Sequence, residues 1–310
     1  MHNASTPRNP LTVVFSTAMA APSGSFSPSS DKPAKVVADW AAAGLPLDLV
    51  APTPATPDDL ALAHDRRYVD DVLALRRPNG FGDRSPAVAA ALPYTSGAML
   101  TGARLALQRG GAVCAPCSGF HHAHWGSGGG FCTFNGLMVA ALGVLGDGLA
   151  RRVAIVDCDM HYGDGTDEIL ERLGNPASIR HFTAGREFHH SRQVAAFFAR
   201  LDAELAALAG FDLVLYQAGA DPHLADPLGG WLTTEQLRER DARVFEALAR
   251  HGVPVVWNLA GGYQRDADGG IAPVLAIHRN TAHEHARVFG ERLGARDAGQ
   301  VQARRAQIER

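Results

Sequence analysis

The chain has 310 residues, 46% of them hydrophobic and 20% charged, with a formal net charge of −3. That balance is ordinary for a globular protein with a large core and excludes a disordered chain. Lys and Arg are scattered without a basic block, so no nucleic-acid partner is expected. No run of about 18 apolar residues marks a membrane span, and the opening MHNASTPRNP lacks the apolar centre of a signal peptide.

Four cysteines give no disulfide framework and fit a reducing cytoplasm, so a cytoplasmic protein is expected. The apolar run 11–15 reads as a first strand, and the Ser- and Pro-rich segment 22–33 as a loop. A helical pattern covers 96–107. The CxxC of Cys114 and Cys117 has no partner pair at zinc-ribbon spacing and reads as structural. A polar loop between two helices follows, then a helix over 136–145 and a strand over 153–156. Helices over 192–208 and 234–250 alternate with strands over 213–216 and 253–257. These strands are apolar throughout rather than alternating, the mark of parallel strands covered on both faces. The fold class is therefore α/β: one domain over 1–310, a mainly parallel sheet flanked by helices, and a polar tail from about Gly294.

The chemistry gathers where strands end. In VAIVDCDMHYGDGT an apolar strand runs into Asp157, Asp159 and His161, which alternate with other residues and so share a side. In an open α/β sheet that edge is where ligands bind. Carboxylate oxygen with imidazole nitrogen suits zinc or another divalent first-row ion. A second apolar strand, FDLVLYQAGAD, delivers Asp221 to the same edge if the two strands are neighbours. Asp159, His161 and Asp221 then make three ligands with a fourth position open, as catalytic sites have. The turn at 226–230 that follows is placed to line the cavity.

The loop GFHHAHWGSGGGFCTFN carries His121 and His122, whose candidate partners are Asp157 and Asp164. His124 reads as an ordinary loop residue. The glycines at 128–130 let backbone approach a ligand, and Phe131 can wall a channel. A further strand ends in Gly261-Gly262-Tyr263, putting a neutral phenol donor where an oxyanion would develop.

The segments HHAHWGSGGGFCTFN, DCDMHYGDGT, GADPHLADPLGG and LAGGY together resemble, in order and spacing, the histone deacetylase family of the arginase–deacetylase superfamily. The resemblance implies one zinc ion on Asp159, His161 and Asp221. It implies that His122, partnered by Asp164, is the general base, while His121, partnered by Asp157, tunes the electrostatics. Tyr263 would polarise the amide carbonyl. Gly130, Phe131 and Leu228, with Gly261 and Gly262, would form the acyl-lysine channel. Family members also bind a monovalent cation such as K+, which the resemblance assigns to Asp157, Asp159, His161 and Ser178. The implied reaction removes an acetyl or other acyl group from an amine such as acetyl-lysine in a protein or peptide, or an acetylpolyamine. Two departures stand out: Tyr162 where many relatives carry a second His, and Gly119-Phe120 in place of Pro-Gly.

An arginase-like enzyme with two manganese ions would need a further Asp-x-Asp pair after the later strand, where this chain has Gly-Ala-Asp221-Pro. A non-catalytic acyl-lysine-binding protein would have lost a ligand, a histidine or the tyrosine. The rim, 22–33, 78–85 and 186–190, leaves protein and polyamine substrates open, with Asp31, Asp83 and Glu187 as acids in plausible loops.

Overall fold

A computed structural model of the chain describes residues 9–290; the expected polar tail from Gly294 lies outside the described residues. In chain order the elements are β1 (Leu11–Val14), α1 (Lys32–Ala42), β2 (Leu47–Val50), α2 (Pro57–Leu60), α3 (Arg66–Leu73), α4 (Pro86–Arg109), β3 (Ala112–Ala115) and α5 (Gly136–Gly146). Then come β4 (Val153–Asp157), α6 (Asp164–Arg172), β5 (Ile179–Thr183), α7 (Val194–Ala206), β6 (Leu213–Gly219), α8 (Thr234–His251), β7 (Val255–Ala260) and α9 (Ala272–Phe289).

The strands form one sheet of seven in the order β2-β1-β3-β7-β6-β4-β5, parallel throughout. β4, β6 and β7 are buried at every position, which explains why they were legible as unbroken apolar runs. Residues facing one way, among them Val214, Tyr216 and Trp257, pack against Trp40, Phe197, Leu201 and Phe245 from α1, α7 and α8. Those facing the other way, Ile155, Leu215 and Val256, pack against Leu100, Leu137 and Val144 from α4 and α5. Each such side chain, removed wholly from water, contributes about 1.5–3 kcal/mol.

The expected helices are present, with one extended. α4 begins at Pro86, capped by Ser85, ten residues before the predicted start; Pro93 inside it hides the helical pattern of its first turns. Pro93 has no N–H to donate within the helix, and its own carbonyl accepts the Ala55 N–H at 2.9 Å. α8 shows full end chemistry. Thr233 and Gln236 form a capping box, and Gly252 closes the helix at φ 64°.

Three strands were not foreseen. β2 and β5 are the sheet edges, so their polar residues, Asp48 and Arg180 among them, hide the pattern. β3 is only four residues long. Its presence corrects one expectation, because the tandem histidines follow a strand rather than joining two helices. The predicted loop at 22–33 holds a 3₁₀ turn at Pro28–Ser30 and runs into α1 at Lys32.

At the carboxyl edge β4 and β6 lie in register, with Asp157 opposite Gln217, and then run on in close contact. A Cβ added at Gly219 would stand 2.6 Å from Asp159 Cα and 2.8 Å from the Cys158 carbonyl oxygen. Gly219→Ala must part the two strand ends and is expected to cost about 1–3 kcal/mol. Urea denaturation checks this; an unchanged midpoint would mean that the ends are looser than described.

Candidate active site

Four strands that are neighbours in the sheet, β3, β7, β6 and β4, send their following loops into one crevice. Asp157, the last residue of β4, is fully buried and held from three sides. Its Oδ2 accepts from His121 Nδ1 at 2.7 Å, and its Oδ1 accepts from Gln217 Nε2 at 3.0 Å and the Asp159 N–H at 3.1 Å. With the strand end fixed, Asp159 and His161 turn toward Asp221 from β6. His161 Nδ1 lies 3.3 Å from Asp159 Oδ1 and 3.1 Å from Asp221 Oδ2.

Asp159, His161 and Asp221 each offer a donor atom, all within 4.8 Å of one another. This oxygen–oxygen–nitrogen set fits zinc or a similar divalent ion. The electrostatics make the same case. Burial, then the Asp159 carboxylate, pushes Asp221 up to about 7. Burial acts on Asp159 in the same sense but is outweighed by the His121 and His161 rings, which hold it below the ordinary carboxylate range. Hydrogen bonds to Asp159 and Asp221 raise His161 to about 10 against burial. A proton on His161, shared by two carboxylates, thus does the neutralising that a cation at the same place would do.

The tandem histidines stand 4.1 Å apart between ring centroids, in different surroundings. Burial lowers the affinity of His121 for a proton, yet Asp157 and Asp159 overcome it and raise the ring to about 9. His122 is lowered, first by burial and then by the charge of His121, against its hydrogen bond to Asp164. The Nδ1 of His122 donates to Asp164 Oδ1 at 2.6 Å, which leaves Nε2 free to act as a base. Opposed environments of this kind separate an acid from a base within one pair. Both expected partners, Asp157 and Asp164, are in place.

Tyr263 is held by its backbone: its N–H donates to Asp226 Oδ2 at 2.7 Å, while Asp226 Oδ1 accepts the Leu228 N–H at 3.0 Å. Burial, then Asp221 and Asp159, pushes the phenol far up, so it stays a neutral donor. The glycines before it are required. Gly261 has φ 50°, and a Cβ there would stand 2.1 Å from the Asp221 carboxylate carbon. Across the crevice Gly130, at φ 54°, leaves no room beyond His122, whose Cδ2 would be 2.6 Å from an added Cβ. Phe131 also adopts a positive φ, 64°, unusual for a bulky residue. Its ring lies 5.6 Å from that of Tyr263 and 5.3 Å, edge-on, from that of Phe26. Leu228 is exposed on the turn that Asp226 anchors.

One expected residue is elsewhere. Ser178 precedes β5 at the amino edge, where its carbonyl accepts the Val153 N–H at 2.8 Å. Asp157 is at the far end of β4, level with Thr183. Five residues separate Ser178 from the level of Asp157, about 16 Å at strand rise, so Ser178 does not join Asp157, Asp159 and His161, and that assignment is corrected. Tyr162 also turns outward, donating to Asp167 Oδ2 at 2.6 Å. Residues that the sequence reading passed over do reach the site. Lys32, fully buried, donates from Nζ to the Gly261 carbonyl; burial lowers it to about 8 against the pull of Asp221, Asp159 and Asp226. Nothing in Asp-Lys-Pro marks it. His124 places Nε2 3.5 Å from the second oxygen of Asp164, and only its nearness to the histidine pair hinted at that.

Comparison with known proteins points to one family. A family model described as "Histone deacetylase domain" matches residues 29–190. An uncharacterised protein of Picosynechococcus sp. is 31% identical over 211 residues, 61% of this chain and 67% of that protein. Acetylpolyamine amidohydrolase 1 of Pseudomonas aeruginosa is 32% identical over 199 residues, 55% of this chain and 54% of the enzyme. The chain thus spans between about half and two-thirds of these relatives' lengths. The crystal structure of acetylpolyamine aminohydrolase from Burkholderia pseudomallei superposes with a TM-score of 0.67 at 20% identity, covering 90% of this chain and 99% of that one. This last likeness speaks for the fold.

The protonation of the triad has a measurable consequence. His161 and Asp221 have pKa values raised above their ordinary ones in the metal-free chain, so near neutral pH they carry protons that a divalent ion must displace. Zinc affinity is expected to rise by about tenfold per pH unit between roughly pH 6 and 8, with about one proton or more released per ion. Calorimetric titration in buffers of different ionisation enthalpy measures both; pH-independent binding would contradict the assigned ligands.

Proposed function

As the chain belongs to the histone deacetylase family, we propose that it is a zinc-dependent deacylase, hydrolysing the amide of an acylated amine such as acetyl-lysine. The observation that carries the reading is the convergence of a three-ligand cluster, a histidine–aspartate pair and a buried tyrosine on one crevice. Zinc bound by Asp159, His161 and Asp221 would supply Lewis acidity and lower the pKa of water to about 7.

The chain's own groups do the rest. His122, kept neutral by burial and by His121, takes a proton from the attacking water at Nε2 and returns it to the leaving amine nitrogen. Asp164 fixes its tautomer. His121, anchored on Asp157, retains positive charge beside the developing oxyanion. The Tyr263 hydroxyl donates to the same oxygen, and its placement by Asp226 means that little reorganisation is needed. Phe131, Phe26 and Leu228 form apolar walls suited to the stem of an acylated amine.

Both the single three-residue ligand cluster among the described residues and the convergence of His122, Asp164 and Tyr263 on it support this reading over a binuclear manganese enzyme or a binding protein. Among the described residues, three-ligand clusters of this kind number one. The amine side is the open part. Of the rim acids, Asp31 pairs with Lys35 at 2.6 Å and Glu187 with Arg200 at 3.6 Å, while Asp83 accepts from Asn79 and the Ser85 N–H. Exposed pairs of this kind are weak, so these acids do not select between acetyl-lysine and an acetylpolyamine, and both belong to the substrate class proposed.

Turnover of an acetyl-lysine peptide against acetylated polyamines by zinc-loaded protein is the direct test. Tyr263→Phe should lower kcat by about 10²–10³ with zinc content unchanged, and His122→Ala by about 10²–10⁴. Zinc-loaded protein that hydrolyses neither substrate class would remove the support for this function.

A further inference from the structure

Arg240 lies on the inward face of α8, three residues from Leu237 and four from Val244, and is completely buried. An apolar side chain is the ordinary occupant of such a position. A guanidinium there demands a full set of partners, because desolvating an unpaired cation costs several kcal/mol. Asp241 supplies part of that set: its Oδ1 accepts from Nε at 2.9 Å and Nη2 at 2.8 Å. Asp241 is itself fixed by the hydroxyls of Tyr216 and Thr281.

The remaining bonds run toward the catalytic edge. Nη1 donates to the carbonyl of Gly219 at 2.6 Å and to that of Cys158 at 3.2 Å. Cys158 lies between Asp157 and the ligand Asp159; Gly219 lies two residues before the ligand Asp221. The backbone ladder between β4 and β6 makes its last rung at the Cys158 N–H, which donates to Gln217 at 3.1 Å. Beyond that rung no further backbone-to-backbone bond is described between the two chains; the Met160 N–H reaches across to the Asp221 side chain, donating to Oδ1 at 3.1 Å. Arg240 ties them where the ladder stops.

We propose that Arg240 is a positioning residue for the metal: from behind the sheet it sets the separation of the segments bearing Asp159 and Asp221. The proposal rests on the metal-site reading above. A charge pair that only fills the core would make no difference to the ligands, and that is the distinction to test. Arg240→Met combined with Asp241→Asn removes both charges together, avoiding the penalty of an orphaned ion. Arg240→Lys keeps the charge but lacks the planar fork that holds Asp241 and the two carbonyls at the same time.

Zn2+ and Co2+ affinities are measured by competition with a chelating dye, together with the visible spectrum of the Co2+ form and thermal unfolding of the metal-free proteins. The double variant should bind both ions about 10–100-fold more weakly and show altered Co2+ bands, with metal-free unfolding close to that of the wild type. Arg240→Lys should fall between. Wild-type affinity and an unaltered Co2+ spectrum in the double variant overturn the proposal. If the double variant does not fold, Arg240→Lys decides: an intermediate affinity with shifted bands supports the role, and wild-type values overturn it. Failure of the wild type to bind either ion would fell the zinc reading first, and this one with it.

Discussion

Asp159 and Asp221 project from the ends of neighbouring strands into a region where water does little to screen them, with donor atoms within 4.8 Å. At an effective dielectric constant near 20, two unit charges at that spacing repel by about 3–4 kcal/mol. That is a large fraction of the net stability of an ordinary domain. The surroundings are built against it. His161 is drawn between the two carboxylates, His121 faces Asp159 from the side, and Lys32 is held beneath the Gly261 turn despite a heavy desolvation cost. A doubly charged ion in the same position relieves the repulsion more completely than any single proton can.

The division between the two adjacent histidines follows from the same field. His121 looks inward, onto Asp157 and Asp159, and gains a proton easily. His122, one residue on, looks to the half-exposed Asp164 and feels the charge of its neighbour as a penalty. Two chemically identical side chains are thus given opposite shifts in proton affinity by their position relative to the sheet edge.

Legibility in the sequence followed burial. The strands β4, β6 and β7 were visible because both faces are covered, and the candidate ligands Asp159, His161 and Asp221 were visible because acids and imidazole abruptly follow the apolar runs of β4 and β6. Edge strands β2 and β5 were obscured by the polar residues that their open sides permit. Lys32 and Arg240 escaped notice for another reason: a charged residue ahead of a helix or along one reads as solvated, and only tertiary packing reveals that it has been enclosed. Ser178 shows the converse error. It lies close to a strand bearing functional residues' neighbours, but strand direction puts it at the wrong end.

The strand order carries a consequence for how the protein is made. β3 and β6 do not touch; β7 lies between them. The histidine loop after β3 and the aspartate loop after β6 therefore cannot be brought to their final spacing until the segment Val255–Ala260 has been synthesised and inserted. A ribosome-bound chain that already contains both histidines and all three ligands still lacks the central strand that sets their distance. The distance between the histidine pair and the candidate ligand Asp221 is thus set by the last strand of the sheet in chain order.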